Sequence, residues 1–400
     1  MLVNKAKNKI NSYFINFTKI ERQNAIKISL FNSVFYAVMF SSSTIFILYL
    51  KNLGLVSYIS VYYTIMSVIG MGALFYSNIY KYFKSKNIII FGILLYMMGL
   101  FLRSYPQNYY ILITSSVLCA VGVNLVLLGS RMWFLYFTNT QNQSKVIGLS
   151  GISQDISKQS LLFLAVFLIL ISYQFTLIFL SLILLISLFF VPSIPYMQKS
   201  KEISKYSNKL SIYLITLLSL QNIIAGFISF LTFSMFVLFL SYKNLADIYI
   251  PTFISITSIF ASIFAFYFAN KIKDSNLRLF YIMYTIAISL LILILLYNQF
   301  IGILALLCIF TLKILSASFG ISFNIVDNKI AQHYNPIFLL TLMQSTVLAG
   351  TTLGGLTSNY FLSNNIALFI ILTIVIVYFI VNWLVLKIYN NLLQSIKPIS

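Results

Sequence analysis

Residues 109–137 read YYILITSSVLCAVGVNLVLLGSRMWFLYF, with a single charge, Arg131, in the whole stretch. A helix needs about 20 predominantly apolar residues to cross the hydrocarbon of a bilayer. Inside lipid every backbone N–H and C=O must find its partner within the segment, so an apolar run of this length reads as a spanning α-helix. A membrane barrel would show short segments of alternating polarity instead, and the chain has none. The same reading extends outward to the whole chain. Its 400 residues are 60% hydrophobic and 8% charged, against about a quarter charged in a soluble domain.

Twelve such spans are predicted, at 26–50, 55–77, 88–104, 109–137, 146–170, 174–196, 210–240, 250–270, 279–297, 301–326, 337–362 and 366–388. They fall into two groups of six around the polar stretch Gln198–Lys209, QKSKEISKYSNK. The predicted fold class is therefore an all-α integral membrane protein with two pseudo-symmetric six-helix halves. Its parts are a basic N-terminal cytoplasmic arm (1–25), a first half (26–196), a central cytoplasmic loop (197–209), a second half (210–388) and a cytoplasmic tail (389–400). In the arm Ile10, Tyr13, Phe14, Phe17 and Ile20 recur at roughly helical spacing among lysines, which fits either a helix lying on the inner leaflet or targeting by positive charge alone. No cleavable signal peptide is read in the first 25 residues.

A formal charge of +20 would suggest nucleic acid in a soluble protein. Here the charges mark topology. With both termini in the cytoplasm, 20 of the 26 basic residues face that side and only Lys51, Arg103 and Lys243 fall in outer loops. That bias fits the positive-inside rule and an even number of spans. The expected location is the cell inner (plasma) membrane, multi-pass. The outer loops are too short for a folded catalytic domain. Cys119 and Cys308 both lie in apolar blocks, the single histidine, His333, sits in a loop, and no metal-ligand cluster or nucleophile–base set appears. We therefore expect a chain that is not an enzyme, with no cofactor and no metal site, and with the proton considered as coupling ion. Its partners would be the lipid bilayer and a small-molecule or peptide-like substrate, with no nucleic acid, and it would act as a monomer.

Three loops carry a family pattern. Between spans 2 and 3 stands Ser77-Asn78-Ile79-Tyr80-Lys81-Tyr82-Phe83-Lys84-Ser85-Lys86. Between spans 8 and 9 stands Asn270-Lys271-Ile272-Lys273-Asp274, and before span 5 Ser144-Lys145-Val146-Ile147-Gly148-Leu149. With the six-plus-six plan and the basic central loop, the chain resembles a bacterial-type transporter of the major facilitator superfamily with degenerate signature motifs. The loop 2–3 signature keeps its aromatic and basic character and lacks the glycine and the Asp-Arg pair. Leu118 stands where drug–proton antiporters of the family carry an arginine before Gly122, and span 5 lacks their Gly-Pro pair. The resemblance implies alternating access, with spans 1, 4, 7 and 10 lining a central cavity.

Ionisable groups within spans are expensive and tend to mark a pathway or relay. Three bases, Arg131, Lys158 and Lys313, and one acid, Asp155, lie well inside spans. Arg131 and Asp155 sit at similar depth, about 12 and 14 Å from the loop joining their spans. An Arg131–Asp155 pair is one option and an Asp155–Lys158 pair at i, i+3 is the other. Either pair could act as a proton- or substrate-switched element or simply pin helices. Lys313 falls near mid-membrane. Uncharged polar residues at Asn32, Asn124, Gln221, Asn222 and Gln344 add further candidates for substrate binding or coupling, each also explicable as an interhelical hydrogen bond. Together they describe a wet interior of positive bias. The function read from this is secondary active transport of a small organic or peptide-like solute by alternating access, with export favoured. Proton-coupled uptake of a small organic anion and a lipid-linked sugar flippase are the alternatives.

Overall fold

The computed structural model describes residues 17–72, 79, 83–134, 137, 140–192, 212–242, 336–363 and 366–395, with short helical pieces and single residues between 252 and 334. The described residues form helices and the turns between them. In chain order these are α1 (Lys19–Asn52), α2 (Ser57–Met71), α3 (Ser85–Arg103), α4 (Tyr109–Phe134), α5 (Thr140–Ile169), α6 (Tyr173–Leu188), α7 (Ile212–Tyr242), α8 (Pro336–Ser363) and α9 (Ile366–Ser395). They correspond to predicted spans 1–7, 11 and 12. The N-terminal arm up to residue 16, the central loop 197–209 and most of spans 8–10 lie outside the described residues. Four helical stretches, Lys19–Asn52, Ser85–Arg103, Tyr109–Phe134 and Lys145–Ile169, are long and apolar enough to cross a membrane, and shorter apolar helical pieces lie in α2, α6, α7, α8 and α9.

Local chemistry sets the ends. Thr18 and Glu21 form a capping box: Glu21 N donates to Thr18 Oγ1 (3.2 Å) and Thr18 N donates to Glu21 Oε2 (2.9 Å). Two orphan N–H groups are thereby satisfied, and α1 starts at Lys19 rather than at the predicted 26. Its other end closes in a Schellman turn. Leu55 N reaches Leu50 O (2.8 Å) and Gly54 N reaches Lys51 O (2.9 Å), with Gly54 at φ 70°. Only a residue without Cβ adopts that conformation cheaply. Asn108 caps α4 and Ser172 caps α6 through their side-chain oxygens. At the far end α9 runs to Ser395, past the predicted limit of 388, because Tyr389 is still buried in the core.

Helix neighbours are not simply sequential. α3 packs along α4, α1 along α5 and α6, and α2 against α4. In the C-terminal group α7 packs along α8 and α9. Phe31, Phe35, Tyr96 and Trp133 share one core of the N-terminal group, with Phe31 edge-on to Trp133 at 4.9 Å. Phe46 and Tyr62 belong to a second core, and Leu218, Ile330, Met343 and Val385 to that of the C-terminal group. Outward faces are apolar: Phe91, Phe101, Phe167, Leu182, Leu185 and Phe189 are exposed, whereas Asn32, Ser42, Asn124, Gln221 and Gln344 are buried. Apolar outside and polar inside is the arrangement a bilayer demands, since a soluble protein exposes no such continuous patch.

Candidate functional site

The two helix groups meet chiefly along one stripe of α8, while α7 also touches α1. Leu340, Gln344, Leu348 and Thr351 follow at spacings of four, four and three, so they stand above one another on a single helix face. Each meets a residue of the N-terminal group. Arg131 Nη1 donates to Leu340 O at 3.5 Å. Gln344 Nε2 donates to Asn124 Oδ1 at 2.8 Å, while Asn124 Nδ2 is tied to Ala120 O at 2.7 Å. Leu348 lies over Gly70, where a Cβ would come within 2.5 Å of Leu348 Cδ1. Ser67 Oγ and Thr351 Oγ1 are 2.8 Å apart. Gln344 and Asn124 are both buried, and Gln344 Oε1 has no hydrogen-bond partner among the described residues. Asp327, one residue past the predicted span 301–326, is helical and buried. A cation on α4 thus reaches the C-terminal group through a backbone carbonyl.

The open choice for Asp155 resolves to its helical neighbour: Lys158 Nζ lies 3.1 Å from Asp155 Oδ1. Arg131 turns instead to α8. The reason is topological, because α5 lies along α1 whereas α4 packs on α3 and α2, and an i, i+3 pair needs no alignment between helices. Lys158 also stands 5.4 Å from the ring centre of Tyr36 on α1. On the same α1–α5 contact Asn32 Nδ2 donates to Ser150 Oγ (2.8 Å), and Gln154 Nε2 reaches the same oxygen (3.0 Å). Gln221 joins α7 to α9 through Asn382 Oδ1 (2.7 Å), and Asn222 bonds back to Leu218 O within α7 (2.8 Å). Lys313 lies outside the described residues. Of the polar candidates, then, Asn124, Arg131 and Gln344 come together in one seam. Asn32, Asp155 and Lys158 gather on the α1–α5 contact, and Gln221 and Asn222 sit within the C-terminal group.

Arg103 departs most from expectation. Counted with the outer-loop charges, it is 1% exposed. It is the last residue of α3, and helical Cβ bonds tilt toward the N-terminus, so its side chain is thrown back into the bundle instead of out to water. The guanidinium carbon lies 4.6 Å from the ring centre of Tyr62 and 5.2 Å from that of Phe46. Nη1 is 3.4 Å from Ser42 Oγ and Nη2 is 3.6 Å from Met66 Sδ. The available sequence signal was the absence of any acidic residue between Glu21 and Asp155, which leaves a cation on the third span without a counter-ion close in sequence.

No family model matches the chain, and no curated protein does. The helical architecture is shared with a solved transporter structure. A solved structure that it resembles is the crystal structure of the human organic anion transporter MFSD10 (TETRAN), at a TM-score of 0.70 and 10% identity, covering 91% of this chain and 100% of that one. At that identity the likeness concerns the fold.

Proposed function

We propose that the chain is a secondary active transporter that carries a small organic solute with an anionic group across the membrane by alternating access. The observation that carries this reading is the α8 seam. Its contacts to α2 and α4 are two side-chain hydrogen bonds, a single carbonyl contact and the packing of Leu348 on Gly70, contacts that can break and re-form as the groups rock. The anionic preference is supported by the cations Arg131 and Arg103 buried or half-buried in the bundle, and it agrees with the named activity of the human structure of like fold. The proposed architecture is twelve spans in two halves, 26–196 and 210–388, joined by the loop 197–209. The proposed setting is a bacterial-type inner membrane with both termini in the cytoplasm, which the distribution of lysines and arginines supports. With that orientation the seam closes the cytoplasmic end. Export is the proposed direction, because loose signature motifs are frequent among exporters of this type.

Cross-linking tests the reading. In a background with Cys119 and Cys308 replaced by serine, Ser67→Cys with Thr351→Cys should form an oxidant-driven disulfide across the seam. Uptake of a labelled aromatic carboxylate into proteoliposomes should then stop, and reductant should restore it. Undiminished transport with the disulfide formed would rule out motion at the seam.

A further inference from the structure

Arg103 is a full positive charge in a dry place, and the described residues give it no anion. Of the six acids in the chain none lies between Glu21 and Asp155. Asp155 is held by Lys158, and Asp327 lies in the C-terminal group. Burying a cation in this way costs several kcal/mol unless it is paired. Its partners are two aromatic faces, a serine hydroxyl at the limit of hydrogen-bond length, a thioether and the Cys119 thiol, all weak beside a carboxylate. Nε is buried and has no hydrogen-bond partner among the described residues. A guanidinium presents five donors in a rigid planar fork, matched to an anion that accepts two parallel hydrogen bonds. Here that fork is assembled and largely unused.

The surroundings state what kind of anion would fit. Phe46 and Tyr62 form an apolar, aromatic wall, and Met66 adds a soft, adaptable edge. Ser42 supplies one hydroxyl that also lies 3.2 Å from Tyr96 Oη. The geometry points to a site for one carboxylate or sulfonate group on an aromatic or otherwise apolar body, held in plane by Arg103 and Ser42 and flanked by Phe46 and Tyr62. This rests on the transport reading above and names its anchor. Access follows from α2. Met66 touches Arg103 and the next residue, Ser67, bonds Thr351 in the seam. A shift of α2 at the seam also moves Met66 at the edge of the cage, and that movement is the route by which an anion would reach the cation.

The test is binding, measured apart from transport. Full-length protein in nanodiscs is titrated with benzoate, benzenesulfonate and the neutral benzamide, with thermal unfolding as readout. Benzoate and benzenesulfonate should raise the unfolding temperature saturably and benzamide should not. In Arg103→Gln the apparent affinity for benzoate should fall about ten- to a hundredfold, as expected for a lost charge-assisted hydrogen bond. Arg103→Lys should recover part of it, because the charge returns without the fork. If Arg103→Gln does not fold, Ser42→Ala keeps the question open to experiment and should weaken benzoate binding while leaving benzamide without effect. An unchanged benzoate response in Arg103→Gln or Ser42→Ala, or no saturable response of the native chain to either anion, overturns the site. Benzoate binding that depends on Arg103 in protein that moves no solute would leave the site standing and remove the transport reading. Organic-anion transport unimpaired in Arg103→Gln would do the reverse.

Discussion

The contact of α3 with α4 and the contact of α8 with α2 and α4 are built from opposite materials. Between α3 and α4 the backbones themselves touch. A Cβ on Gly122 would lie 2.6 Å from Gly92 O and from Tyr96 N, and one on Gly99 would lie 2.6 Å from Cys119 Sγ. Ser115 Oγ adds a bond to Gly99 O at 3.0 Å. Across α8 the contacts are made by the ends of side chains, at Gln344, Arg131 and Thr351, with Gly70 alone supplying a close approach. Within the C-terminal group the first pattern returns: a Cβ at Gly226 would run into Val347 O, and one at Gly350 into Ile223 O. Small residues let helices lie backbone to backbone over many atoms, which makes each group a unit. Side-chain bonds between units are few and replaceable. The difference assigns rigidity to the groups and motion to the seam.

The largest effect should therefore come from within a group. Gly122→Val places a branched side chain against two backbone segments that have nowhere to go, so about 3 kcal/mol or more of stability should be lost. Thermal unfolding in detergent would register it as a large drop in melting temperature together with poor yield. A Gly122→Val protein as stable as the native chain would mean that the α3–α4 contact is looser than its geometry says.

A smaller effect belongs to the seam, and it should divide differently between stability and activity. Asn124→Leu, Gln344→Leu and the double variant form a cycle around one interhelical hydrogen bond, for which about 0.6 kcal/mol is the average coupling in membrane bundles. Stability should change little. Transport should change more, because removing the bond biases the equilibrium between closed and open seam. Equal losses of stability and transport in all three proteins would place the bond with the static contacts.

Much of this architecture was readable in the residues. Long apolar runs interrupted by basic loops fix helices and lipid exposure, because both follow from composition and length along one segment. Gln344 and Asn124 could be picked out as buried polar groups for the same reason. Their pairing could not, since it depends on which helices become neighbours, and α4 turns out to face α8 across 220 positions of sequence. Arg131 shows the same limit. Its depth matched that of Asp155, but depth says nothing about azimuth, and the side chain points to Leu340. Arg103 was misread for a different reason. Positive-inside counting treats a base at a span end as solvated, while the tilt of the Cα–Cβ bond sends a base at a helix C-terminus back into the bundle.

The smallest structural effect is expected at Asp155, and for that reason it separates coupling from scaffolding most cleanly. Asp155 and Lys158 are partly exposed, at 33% and 21% of their side-chain surface, and they pair within one turn of α5. An i, i+3 ion pair of this kind contributes about 0.5 kcal/mol or less, so Asp155→Asn should unfold within a degree or two of the native protein. Any loss of transport then reflects the proton or the charge and not the fold. If Asp155 is the coupling group, inverted vesicles carrying Asp155→Asn should lose accumulation driven by a proton gradient while still exchanging labelled for unlabelled solute, since exchange needs the rocking but not the proton. Accumulation equal to that of the native protein would leave the pair as a brace between α5 and the Tyr36 face of α1. The energy source would then have to be sought elsewhere, and the buried Asp327 of the C-terminal group is the first acid to test.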